Sequence, residues 1–341
     1  MKVLVIRLSS LGDVVLATAA IAPLKAAACD LHFLTKASFA SLLSTQEGVS
    51  SVYAYDKKEQ SERAAKAALF KWIAEQKFDL IIDLHDSLRT KLWRRRLNAL
   101  ARVYVLKKPR WREVLVLFFR LRSFGLGRGG RARRIREFTQ FVLTNEGHRL
   151  ADLSAKPLTE LKVPVTKTAI SKPYVVLLPG SAWAGKRWPA RYFQDLAEKI
   201  SAHSTVVVLG GKSESYCEEI ANRARKKAPA SVSLHGKTNL QEGMQILAEA
   251  ELVIGNDTGL IHVAEALGKK TIVIEGPTHE ALGFTPYRES SKILAVDLAC
   301  RPCSKTGRFC WRFGSRACVT GVTTANVYQA AMASLAQKEL S

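Results

Sequence analysis

A chain of 341 residues, 47% of them apolar, is long enough for two ordinary domains with separate cores, and its composition excludes the collagen-like and disordered classes. No uninterrupted apolar run reaches the ~18 residues that a membrane-spanning helix needs. A net charge of +22 implies an anionic partner: nucleic acid, acidic lipid or a phosphorylated substrate.

In chain order, Val3–Ile6 reads as a short buried strand. It ends at Arg7, and Leu8-Ser9-Ser10-Leu11-Gly12-Asp13 leads into an apolar pattern of helical length over Asp13–Ala28. Lys2 and the apolar residues after it imitate a secretion signal. Arg7 and Asp13 interrupt that stretch, which points to a cytoplasmic protein. Leu31–Leu34 and Val52–Tyr55 are the next expected strands, with a short helix at Phe39–Ser44. Glu62–Gln76 is a charged amphipathic helix, and Leu80–Leu84 a further buried strand. From Arg89 to Arg136 there are 17 Lys/Arg against one acid, Glu113. A general solubility face mixes signs, so this run reads as a docking surface for something strongly negative. Within it, WREVLVLFFRLRSFG (111–125) is an amphipathic, basic stretch, read either as a core helix with basic edges or as a surface resting on anionic lipid.

The pattern lapses over Leu161–Pro173, where two prolines and several Thr/Ser residues indicate a linker. Domains are therefore expected at 1–165 and 166–341, with the last helix packing back on the first. Beyond the linker, strands are expected at Tyr174–Leu178, Val206–Leu209, Leu252–Ile254 and Thr271–Ile274. Helices are expected at Tyr192–Ser201, Ser215–Lys227 and Leu260–Leu267. Alternation of this kind is α/β: two doubly wound parallel sheets facing across a cleft, with ligands at the carboxyl ends of the strands.

Three loops after strands carry candidate chemistry. Pro179-Gly180-Ser181 is followed by Lys186, Arg187 and Trp188, a cationic loop suited to a phosphorylated ligand or simply a solvated basic loop. After Gly210-Gly211 comes Glu214, placed either to accept from ribose hydroxyls or to serve as a helix N-terminal carboxylate. Gly255-Asn256-Asp257-Thr258-Gly259-Leu260 opens a helix whose first amides form an anion site, with Asp257 or Thr258 able to cap it. His262 lies one turn in, as a structural hydrogen-bonder or a catalytic group. There is no P-loop, no three-glycine dinucleotide fingerprint and no nucleophile elbow.

The segments VLVIRLSSLGDVVLATAAIAPLK, FDLIIDLHDSLRTKL, LLPGSAWAGKRWPARYF and GNDTGLIHVAEALGKKTIVIEGPT together resemble glycosyltransferase family 9, the bacterial heptosyltransferases. The resemblance implies a GT-B fold of two Rossmann-like domains, an acceptor-binding one first and a nucleotide-sugar one second. It also implies an inverting, metal-independent transfer of heptose from ADP-heptose to the Kdo/heptose inner core of lipopolysaccharide, with no cofactor. It matches Asp13 to the general base and Lys186 to the phosphate-facing lysine. Gly180, Ser181, Glu214, Asp257, Thr258, Gly259, Leu260 and His262 then fall to the donor, and Ser10, Gly12, Arg89, Arg94 and Arg95 to the acceptor. Gly12 is expected to supply the sharp turn that aims Asp13. Where the family often has His, this chain has Leu178. The partners expected are ADP-heptose, a Kdo-lipid A type acceptor and, peripherally, the anionic inner face of the inner membrane, with no nucleic acid.

Cys300, Cys303, Cys310 and Cys318 resemble a segment of some second-step heptosyltransferases. Their spacing leaves structural zinc and free thiols both open. The readings that compete with heptosyl transfer are use of another nucleotide sugar on the same fold, a non-catalytic nucleotide-sugar binder, and a nucleic-acid-binding protein using the Arg89–Arg136 run.

Overall fold

The computed structural model describes residues 1–56, 61–164, 170–308, 310 and 314–337. The chain divides into two compact units, Met1–Pro109 with Arg131–Val163, and Arg110–Gly130 with Pro164 onward. The linker residues 165–169, and with them the expected break at 165/166, lie outside the described residues.

The first unit is built on a five-stranded parallel sheet of order β3-β2-β1-β4-β5: β1 Lys2–Ile6, β2 Asp30–Lys36, β3 Ser51–Tyr55, β4 Leu80–Asp83 and β5 Arg102–Val105. β1 is central because Val3, Leu4, Val5 and Ile6 are fully buried, as a strand covered on both faces requires. Leu4, Ile6, Leu8, Leu34, Leu69, Ile81 and Trp93 share one core. The helix expected over Asp13–Ala28 begins earlier and breaks into Leu11–Ala17, a 3-10 turn Thr18–Ala20 and Ile21–Ala26. Pro23 has no N–H to offer the preceding turn, so the chain tightens just before it.

The second unit carries a six-stranded parallel sheet of order β11-β10-β9-β6-β7-β8: β6 Tyr174–Leu178, β7 Thr205–Val208, β8 Val232–Ser233, β9 Leu252–Asn256, β10 Thr271–Ile274 and β11 Ser291–Leu294. The helix Thr324–Ala336 packs against β9, β10, β11 and the helix Ala190–Ile200 of its own unit. Its buried Val327 and Ala331 complete that core.

The strand orders reverse direction between β1 and β4 in the first sheet and between β6 and β9 in the second. Such reversals open a crevice at the carboxyl ends of the two central strands, the usual place for a ligand in an open α/β sheet. Among the described residues no helix is long and apolar enough to cross a membrane.

Candidate functional site

In the first unit, the reversal is filled by the residues after β1 and β4. Ser10 is the extended residue before the helix Leu11–Ala17. Its backbone N–H and its hydroxyl both reach Asp13 Oδ2 at 3.1 Å. Gly12 is therefore not the turn: it is the second residue of the helix, and the chain turns at Ser10 because that residue takes the cap position.

Asp13 Oδ1 pairs with Arg7 Nη2 at 2.6 Å, and the Asp13 side chain keeps 21% exposure. Arg7 also donates to the Leu84 carbonyl at the end of β4. Burial pushes the Asp13 carboxyl up, but Arg7, the Ser10 amide and Arg131 outweigh it and hold the group below its usual range. Asp13 opens onto a small pocket lined by Arg7, Lys107, Lys108, Arg131 and Arg134, with Leu16, Leu84, Leu106 and Ile135 as its apolar wall. Burial and the neighbouring Arg7 and Lys108 lower His85 to about 4, so it stays neutral near pH 7. A carboxylate ringed by cations and neutral imidazole is anionic at neutral pH and sits where an anionic ligand is attracted.

The arginines expected at the acceptor are distributed differently. Arg94 faces inward, 3.6 Å from Asp83 Oδ2 and 3.5 Å from Asp86 Oδ1. Arg95 is exposed and Arg89 half-buried on the helix Leu88–Asn98, and none of the three lines the Asp13 pocket. Apart from Arg7, the cations that do line it come from the loop after β5 and from the helix Gly130–Asn145. They belong to the same basic run, but the fold rather than sequence proximity brings them to Asp13.

In the second unit, the loops after β6, β7 and β9 converge. Gly180, Ser181, Glu214, Thr258 and Leu260 line one pocket with Leu178, Gly210 and Gly211. Glu214 Oε2 accepts from the Gly211 N–H at 2.7 Å. A Cβ on Gly180 would overlap the Glu214 carboxylate, so glycine is required there for the acid to lie across the loop. Leu178, at the position where the resemblance leads one to look for His, packs on Gly255 and leaves no polar side chain at that point of the pocket.

Lys186 ends a 3-10 turn, Ala184–Lys186, that lies tight against the Gly307 carbonyl. Its Nζ is 2.7 Å from Asp257 Oδ2, which also accepts from Thr278 Oγ1 at 2.9 Å. Burial works against the Asp257 charge, yet Lys186 prevails and holds the carboxyl below its usual range. Neither expected cap is made by a side chain. Asp257 holds Lys186 instead, and Thr258 makes no side-chain capping bond to the helix Gly259–Ala266. The first amides of that helix, beginning at Gly259, are thus not spent on a cap and carry the positive end of its dipole. His262 is buried beside Asp257, its Nδ1 without a hydrogen-bond partner.

Residues not singled out from the sequence support this loop. Asn256 accepts from the Trp188 N–H at 2.9 Å and donates to the Pro179 carbonyl, tying the β9 loop to the β6 loop. Behind Asp257, Glu275 pairs with Arg301 at 3.0 Å and accepts from Thr285. Burial and the nearby Asp257 push Glu275 up to about 7 against the pull of Arg301. Thr278 and Glu275 follow β10, so the rule that ligands gather after strands could have found them.

Cys303, Cys310 and Cys318 line a cavity with Trp183, Gly185 and Pro277. Burial pushes the Cys318 thiol up to about 11. None of the six cysteines is in a disulfide, and among the described residues no group of three His, Cys, Asp or Glu side chains is arranged to hold a metal.

Two parallel α/β units, each with polar residues at its strand-order reversal, have the fold of the GT-B type. The sequence profile of glycosyltransferase family 9 (heptosyltransferase) matches residues 66–310, and the chain belongs to that family. It is 28% identical over 319 residues to lipopolysaccharide heptosyltransferase 1 of Pseudomonas aeruginosa, covering 89% of this chain and 86% of that one. Among solved structures it resembles Escherichia coli ADP-heptose heptosyltransferase II, with TM-score 0.71 and 18% identity, covering 99% of this chain and 100% of the other. It also resembles E. coli heptosyltransferase WaaC with ADP, at TM-score 0.68 and 20% identity over 98% and 100%. The same WaaC has been solved with ADP-2-deoxy-2-fluoro heptose.

Proposed function

We propose that this glycosyltransferase moves heptose from ADP-L-glycero-D-manno-heptose to the Kdo/heptose inner core of lipopolysaccharide, with inversion and without a catalytic metal. The observation that carries the reading is the pairing at Lys186. Its ammonium is held by Asp257, whose carboxylate also accepts from the Thr278 hydroxyl, beside the uncapped N-terminus of the helix Gly259–Ala266. Fixed cation and amides of this kind suit a diphosphate that gains charge as it departs. The likeness to lipopolysaccharide heptosyltransferase 1 and to a WaaC solved with an ADP-heptose analogue supports the same donor and acceptor.

The step is a single displacement. The acceptor hydroxyl attacks the anomeric carbon and gives its proton to an Asp13 carboxylate oxygen as the new C–O bond forms. The bond from that carbon to the β-phosphate oxygen breaks, and ADP leaves with the electron pair against Lys186 and the amides of Gly259 and Leu260. Asp13 then releases its proton to water. A sugar hydroxyl is far too weakly acidic to ionise alone at pH 7, so a carboxylate in contact with it contributes on the order of 10²–10⁴ in rate. Gly180, Ser181, Glu214 and Thr258 receive the nucleotide side of the donor. Asp257 acts through Lys186, because a carboxylate against the diphosphate itself would repel it. His262, buried beside Asp257, lies on the helix that this loop opens. On the acceptor side, Lys107, Lys108, Arg131 and Arg134 beside Asp13 suit Kdo carboxylates and lipid A phosphates, which arginine grips well. Such an acceptor places the enzyme peripherally at the inner face of the inner membrane.

A second reading keeps the chemistry and changes the sugar. It is favoured by Leu178, which leaves an apolar wall where the family often places His. Incubation of the purified protein with ADP-heptose and defined-length core acceptors, read by mass spectrometry, decides between them. The account predicts an acceptor heavier by one heptose, in EDTA as in buffer. Product formed only from a different nucleotide sugar, or turnover abolished by EDTA, contradicts it.

A further inference from the structure

The segment Arg110–Gly130 presents an apolar ridge that nothing in the transfer mechanism uses. On the helix Arg110–Phe118, Val116 is buried against Ala281 and Leu282. Glu113, on the same side, pairs with Lys305. Just beyond, Arg122 donates to Asp297 Oδ1 at 3.0 Å and to the carbonyls of Leu298 and Arg301. The Leu126 N–H donates to the Ala281 carbonyl at 2.8 Å. The helix is therefore fixed to its unit along one face. Helical spacing turns Trp111, Val114 and Phe118 to the opposite face. They are 60%, 45% and 68% exposed, and Phe119 after them is 66% exposed.

The charges follow the same division. Arg110 and Arg112 are exposed and flank the ridge on either side, with the Arg112 guanidinium 5.1 Å from the Trp111 ring centre. The segment's only acid, Glu113, is turned inward. A protruding line of aromatic and aliphatic side chains bordered by cations alone complements a surface that is apolar inside and negative at its rim. We propose that this ridge seats the enzyme on an anionic lipid bilayer, with Trp111, Phe118 and Phe119 entering the headgroup boundary and Arg110 and Arg112 against lipid phosphates. The choice of a membrane rests on the proposed function, in which the acceptor is lipid-anchored; the ridge itself does not.

Flotation of the full-length protein with two vesicle types tests this: phosphatidylcholine alone, and phosphatidylcholine mixed with phosphatidylglycerol. The wild type is expected to float with the anionic vesicles only. The double variant Phe118→Ser, Phe119→Ser should lose about tenfold in partition, since each ring gives up apolar area withdrawn from water. Its melting temperature should be unchanged, because both side chains are already exposed. Anionic vesicles should also shift tryptophan emission to the blue in the wild type, and less so in Trp111→Phe. Equal flotation of the double variant and the wild type, or no flotation with either vesicle, overturns the inference. So does a dimer in solution that the double variant dissolves, which would assign the ridge to a second copy. Transfer to a delipidated, water-soluble acceptor should be equal in both proteins. If neither transfers, the proposed function fails and the flotation result still decides the ridge.

Discussion

At the scale of single residues, the Arg7–Asp13 pair sets the charge of the proposed base. A carboxylate with 21% exposure is held ionised by a guanidinium 2.6 Å away, and Arg7 is itself fixed by the Leu84 carbonyl. Asp13 has a folded pKa below its ordinary value of about 3.9, so its share of stability is complete above that value. That share is lost as the pH falls through the lower folded value. Arg7→Met should therefore cost about 3 kcal/mol at pH 7, the scale for leaving one member of a largely buried pair alone. The gap between variant and wild type should narrow below pH ~4 as Asp13 takes up a proton. Urea denaturation at pH 7 and at acid pH measures this, and a cost that does not change with pH would contradict it. The same variant should move the acid limb of kcat/KM upward, because the carboxyl loses the cation that keeps it ionised.

At the scale of elements, the central strands were legible and the edges less so. Tyr174–Leu178 and Thr271–Ile274 occur at the bounds their apolar runs suggest, because a strand covered on both faces must be apolar throughout. The half-buried β5 and the edge strands β8 and β11 carry no such run, and they were missed. The helices Leu88–Asn98 and Gly130–Asn145 were hidden inside the basic run, where charge masks the apolar period of Trp93 and Leu97 or of Ile135, Val142 and Leu143. The loop residues of the second unit were readable because each directly follows an apolar strand and precedes a helix. Arg7 was not, because its role depends on β1 lying beside β4, a neighbour 77 residues away at Leu84. The excursion Arg110–Gly130 was unreadable for the same reason: contacts distant in sequence, such as Val116 against Ala281 and Leu282, reveal which unit it joins. Val116→Ala should loosen that helix at a cost of about 1–3 kcal/mol, read from the urea midpoint. An unchanged midpoint would mean the helix is held by Arg122 and Glu113 alone.

At the scale of the whole molecule, a net charge of +22 is distributed unevenly along the chain. The seventeen cations between Arg89 and Arg136 include Lys107, Lys108, Arg131 and Arg134 beside Asp13 and Arg110 and Arg112 along the exposed ridge. In the proposed mechanism Asp13 of the first unit is the proton acceptor, and Lys186 with the Gly259 and Leu260 amides of the second receives the diphosphate. The variant Asp13→Asn tests it most directly, because it keeps the side chain's size and removes its basicity. The measurement is kcat for heptosyl transfer alongside calorimetric ADP affinity on the same folded preparation. The account predicts a fall in kcat of about 10²–10⁴ with ADP affinity unchanged. Turnover near the wild-type rate, or a loss of ADP binding equal to the loss of kcat, would contradict it.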